Sequence, residues 1–141
     1  MIILPTQALT SELVALTGGR VVSTTECIIS PWRDMQVVCP EENWMEDDFW
    51  RKVLRPSIRK FTPEKFDCDD FAIRCLDRIS ACLSATDTLI GAGYAASIVF
   101  VLIRGELNGV RDGNHACIIY RNALGQWLFY EPQNGRSTDA Q

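Results

Sequence analysis

The sequence predicts one α+β domain over residues 1–141, with helices first and an antiparallel meander last. Two patterns carry that prediction. Apolar side chains recur at helical spacing through Phe71, Ala72, Cys75, Leu76, Ile79, Cys82 and Leu83, a stripe that a single helix would bury. After Gly93 the pattern changes to three short runs rich in β-branched and aromatic residues, separated by turn formers. Apolar residues make up 47% of the chain and charged residues 23%, which suits a buried core and argues against disorder.

In chain order, residues 10–16 read as a short helix capped by Ser11 and closed by Gly18 and Gly19, and residues 20–29 read as a strand. Pro31 and Pro40 then punctuate the chain. Residues 41–55 form an amphipathic pattern with Trp44, Met45, Phe49, Val53 and Leu54 on one face. Its acids come early and its bases late, as the helix dipole favours. The helix with the apolar stripe follows. Asp67 is its cap, Asp69 and Asp70 lie in its first turn, and Asp70 is spaced to pair with Arg74. Gly91 and Gly93 mark a loop. Strands are expected at 94–104, 115–121 and 127–130, the first two joined by the loop ELNGVRDGN and the last two by the hairpin signal NALG.

A net charge of −4 leaves no broad basic surface, which excludes nucleic acid as the main partner. The N-terminus has no basic leader region, and Pro5 breaks its apolar stretch. The longest apolar run, 94–103, falls well short of the roughly 20 residues that span a bilayer. The expectation is a soluble cytoplasmic protein with no membrane partner. Cys68, Cys75 and Cys82 are spaced by seven, about 10.5 Å along a helix, too far apart to bridge. Free thiols in a reducing compartment follow.

Three residues form a candidate catalytic set. Cys68 stands at the start of the striped helix, where free backbone N–H groups and the dipole favour thiolate and would stabilise an oxyanion. Its competing reading is a core cysteine on the apolar stripe. His115 is the chain's only histidine and follows the glycine-containing run 111–114, so any thiol–imidazole mechanism must use it. Its competing reading is a structural histidine at a strand edge. Glu131 ends the next strand, which hairpin pairing would lay beside His115. Its competing reading is a surface acid before a turn.

The strings FDCDDFA, NHACIIY and LFYEPQNG resemble the papain-like domain at the C-terminus of a mushroom agglutinin and its bacterial and phage relatives. They are also similar to the bacterial transglutaminase-like cysteine peptidases, with their D-C-E/D-D/N-F/Y-A block. The likeness covers residues 66–135. It implies a papain-like/transglutaminase-like fold, with the nucleophile at a helix N-terminus packed on the sheet. Cys68 would be the nucleophile, His115 the general base and acid, and Glu131 the orienting residue. The agglutinin domain is a calcium-dependent peptidase, which suggests calcium, not required by the sequence, at Asp67, Asp69 and Asp70. Carboxylates are suitable hard ligands, but consecutive helix residues point different ways, so the three are not expected to share one ion. Helix capping is the plain reading of these acids.

The chain departs from the papain-like pattern at Thr62, where an oxyanion-hole glutamine is usual. Gln36, Gln133 or the helix backbone are the available substitutes. The expected activity is hydrolysis of peptide or isopeptide bonds in a protein or peptide substrate, or the related transamidation or deamidation. The alternative is a catalytically silent binding or assembly module, with calcium as one ligand.

Overall fold

The computed structural model describes residues 2–16, 36–63, 67–82 and 92–140. The strand expected at 20–29, Gly18, Gly19, Pro31, Phe66, Leu83 and Gly91 lie outside them. Two sheets organise the chain. The smaller has the order β1 (Ile2–Pro5), β2 (Gln36–Cys39), β3 (Ala92–Tyr94), with β1 and β2 antiparallel and β2 and β3 parallel. The larger is an antiparallel meander of β4 (Ala96–Leu107), β5 (Val110–Arg121), β6 (Trp127–Glu131) and β7 (Arg136–Asp139). Ala95 joins them: its N–H donates to the Val38 carbonyl, and its own carbonyl accepts from the Arg121 N–H.

The meander carries a core on each face, and strand alternation separates the two. Ala96, Ile98, Ile118, Tyr120, Leu128 and Tyr130 pack with Met45, Phe49, Leu54, Ala72, Cys75 and Ile79. Val99, Ile119, Trp127 and Phe129 pack on the other side with Leu9, Leu13, Val37, Cys39 and Ala95. The first face is covered by α2 (Cys68–Ser80) and a π-helix (Met45–Leu54). The second is covered by α1 (Thr6–Leu16) and the small sheet.

The stripe on α2 is buried as its spacing requires, with Phe71, Ala72, Cys75 and Ile79 inside. Arg74 does not pair with Asp70. Its guanidinium donates to the Ser57 carbonyl at 3.3 Å, while Asp70 turns back to accept the Asp67 N–H at 3.1 Å. The expected helix at 41–55 is wider than an α-helix. The Phe49 N–H reaches the Trp44 carbonyl and the Arg55 N–H the Trp50 carbonyl, both five residues back. That pitch suits a buried set at Met45, Phe49 and Leu54, spaced by four and then five.

Four local expectations are corrected. Helix α1 begins at Thr6, so Ser11 is interior and bonds back to the Gln7 carbonyl instead of capping. The loop ELNGVRDGN is mostly strand, because Asn108 (φ 51°) and Gly109 (φ 87°) make a two-residue hairpin turn between Leu107 and Val110. His115 therefore sits inside β5, paired across to Val101, and not at the opening of a strand. Gly93 lies in β3, not in a loop.

Candidate active site

His115 and Glu131 meet. Residues of β5 and β6 pair from Arg121 opposite Trp127 to Ile118 opposite Tyr130. One further step sets Glu131 across from Cys117, and His115 is the next residue on that face. His115 Nε2 contacts Glu131 Oε2 directly, with the residues 6% and 1% exposed. The other carboxylate oxygen accepts the Gln133 N–H at 3.2 Å. The Glu131 carbonyl accepts the N–H groups of Asn134 and Gly135. Engaging Nε2 in this way leaves Nδ1 as the nitrogen for proton exchange with a third group.

Cys68 is the first residue of α2, after Asp67 in extended conformation, and its side chain is half-buried. Helix α2 packs against β5. Among the described residues, no hydrogen bond joins the Cys68 sulfur to the His115 ring. By alternation His115, Cys117 and Glu131 fall on the same face as Ile119 and Phe129. Electrostatic interactions link this group to α2. Burial pushes the Cys117 thiol up to about 12, with further pushes from Glu131 and then Cys68. Burial also raises Cys75, assisted by Glu131. Cys39 and Cys82 are likewise held above the ordinary thiol value, chiefly by burial.

The acids beside Cys68 are closer together than helix geometry alone suggested. One oxygen from each of Asp67, Asp69 and Asp70 lies within 4.8 Å of the others. The expectation that they diverge is corrected, because Asp67 is the extended cap and not a helical residue, so its side chain folds over the first turn. The Asp69 hydrogen bond, then desolvation and the remaining charge, push Asp67 up to about 6, while the bond from Asp67 lowers Asp69. Three carboxylate donors are a fitting partial set for calcium.

Of the oxyanion-hole substitutes, Gln133 lies in the turn after Glu131 and Gln36 opens β2. Thr62 is exposed and donates to the Lys60 carbonyl.

No protein-family model and no curated protein matches the chain. Solved structures do. The chain is similar to Polyporus squamosus lectin bound to the human-type influenza-binding epitope Neu5Aca2-6Galb1-4GlcNAc, with TM-score 0.66 and 17% identity. A PSL1a-E64 complex matches with TM-score 0.61 and 17% identity. Both alignments cover 96% of this chain and 45% of the other, so the chain spans less than half the length of these neighbours. At that identity the likeness is one of fold: an α+β frame shared with part of a mushroom lectin. Among the described residues, no helix is long and apolar enough to cross a membrane.

Proposed function

We propose that this domain is a papain-like cysteine hydrolase acting on peptide or isopeptide bonds. The observation that carries the proposal is the buried His115–Glu131 pair on a sheet packed by the helix that Cys68 opens. Burying two ionisable groups costs more than burying an apolar pair of similar volume, so packing alone gives no reason for them. In the proposed reaction the Cys68 sulfur attacks the scissile carbonyl carbon and His115 takes the thiol proton. His115 then returns a proton to the departing amine, leaving a thioester on Cys68. Water releases the acid; an amine in place of water gives transamidation. Glu131 holds the ring and stabilises imidazolium. A cation on Asp67, Asp69 and Asp70 would favour the thiolate by its charge.

A second reading, a binding module that keeps the frame without turnover, is favoured by two observations. The thiol–imidazole hydrogen bond is not formed, and one structural neighbour is a lectin bound to a glycan epitope.

The pH dependence of iodoacetamide alkylation at each cysteine, read by mass spectrometry on the native protein, separates them. The hydrolase requires Cys68 to react selectively below about pH 7, and His115→Ala to abolish that advantage. Cys75 and Cys117 should lag, because burial holds their thiols protonated. If Cys68 reacts no faster than those two, the binding module stands. E64, the compound in one neighbour's complex, is a second probe of the same thiol.

A further inference from the structure

The turn that follows Glu131 is held from outside by the π-helix, at three points that bracket the carboxylate. Before it in sequence, the Tyr130 hydroxyl donates to the Met45 carbonyl at 3.0 Å. After it, the Ser137 hydroxyl donates to Glu46 Oε1 at 2.5 Å, on a carboxylate that also accepts the Tyr120 hydroxyl. Between these, the indole of Trp50 lies against Gly135. A Cβ built there would fall 2.5 Å from both Cγ and Cδ2 of the indole, closer than real side chains approach. Gly135 is buried, holds φ at 74°, and gives its N–H to the Glu131 carbonyl at 2.8 Å. The ring thus rests on the residue that fixes the Glu131 backbone, and the same turn supplies the Gln133 N–H to the Glu131 carboxylate.

We infer that Trp50 is a positioning residue for Glu131, acting through Gly135 to hold the carboxylate against His115. The inference rests on the proposed function for its catalytic meaning. Without the flat indole, the turn gains room to move toward the space that Trp50 occupies, and the carboxylate moves with it. The contact is with Gly135, so its effect on chemistry is transmitted through the turn and the dyad. No local sequence signal marks it, since Trp50 and Gly135 are far apart in the chain and meet only through packing.

The test uses the fact that His115 is the chain's only histidine, so its ring resonances are unique in a proton NMR titration. Trp50→Phe keeps a flat ring over Gly135 and should leave the imidazole midpoint where it is in the parent. Trp50→Ala should move it by about half a pH unit or more, as the contact with Glu131 loosens. A change of global stability alone would lower the melting temperature without moving the midpoint in the folded protein. Should Trp50→Ala not fold, Trp50→Leu against Trp50→Phe makes the same comparison, because leucine is bulky and apolar but not flat. Coincident titrations of the parent and every folded variant would overturn the inference. The titration reads the dyad whether or not Cys68 is a nucleophile, so it fails or succeeds independently of the alkylation result.

Discussion

A carboxylate and an imidazole buried together stabilise each other only while both are present. Removing one leaves the other in a site where water cannot replace it, at a cost of about 3–5 kcal/mol. Glu131 limits its own exposure to that cost by accepting a backbone N–H at its second oxygen. The neighbouring thiols register the same field. Cys117 is raised to about 12 by burial first, then by Glu131 and Cys68. A raised thiol favours the folded state while protonated. That contribution is complete below the ordinary thiol value near 8.5 and is lost as pH climbs toward the folded one. The parent should therefore lose stability in alkali from about pH 9 upward, and Cys117→Ala should lose less, by up to about 1.4 kcal/mol per pH unit. Urea unfolding between about pH 8 and pH 10.5 measures the slope; a small cavity in the variant shifts the whole curve without changing that slope. Parallel slopes would show that burial does not hold the Cys117 thiol above its ordinary value. The pairing of His115 with Glu131 was legible in the sequence because hairpin register and period-two alternation are local rules. The side of the sheet facing α2 was not, because it depends on which helix packs where.

At the scale of elements, the largest surprise is how far β4 and β5 extend. Their hairpin turns at Asn108, whose backbone is left-handed and whose side chain is buried. Its amide donates to the Phe129 carbonyl at 3.0 Å and its side-chain oxygen accepts from the Thr138 hydroxyl at 2.5 Å. The Asn134 amide donates to the Asn108 carbonyl at 2.7 Å. The hairpin tip is thereby fastened to β6 and β7, on either side of the turn that follows Glu131. Asn108→Gly keeps the backbone conformation and loses the side-chain bonds, which should cost about 1–3 kcal/mol. Asn108→Ala loses the bonds and adds left-handed strain, for about 1–2 kcal/mol more. Chemical denaturation of the two variants measures both terms, and equal stabilities would remove the strain from the account. The Asn-Gly pair in this segment signals a two-residue hairpin, whereas the polar letters around it read as loop. Strand β7 escaped notice for a related reason: Arg136, Ser137, Thr138 and Asp139 show no apolar alternation, because they form an edge strand paired only to β6 and held by polar side-chain bonds.

Across the whole molecule, one four-stranded sheet serves two cores, and the candidate site depends on both. Helix α2, which Cys68 opens, packs into the core on one face, and α1 and the small sheet pack into the core on the other. Arg121 ties that second side down. Its guanidinium Nε reaches both Glu12 oxygens at 3.1 and 3.0 Å, and Nη1 reaches the Cys39 sulfur at 3.4 Å. If the halves unfolded separately, thiol and imidazole would have no fixed relation, and a shared mechanism would be impossible. Ile118 and Ile119 test this from adjacent positions, since they are buried in opposite cores. Ile118→Val and Ile119→Val should each cost about 0.5–1.5 kcal/mol. In a single cooperative unit, both should shift the midpoint of one urea transition while leaving its slope unchanged. Backbone circular dichroism and the His115 ring signal should follow that transition together in each variant. A second, earlier transition in Ile119→Val alone, carrying the His115 signal with it, would mean that the dyad sits in a separately stable layer. The thiol and the imidazole would then be brought together by docking of two layers, and not by the folding of one.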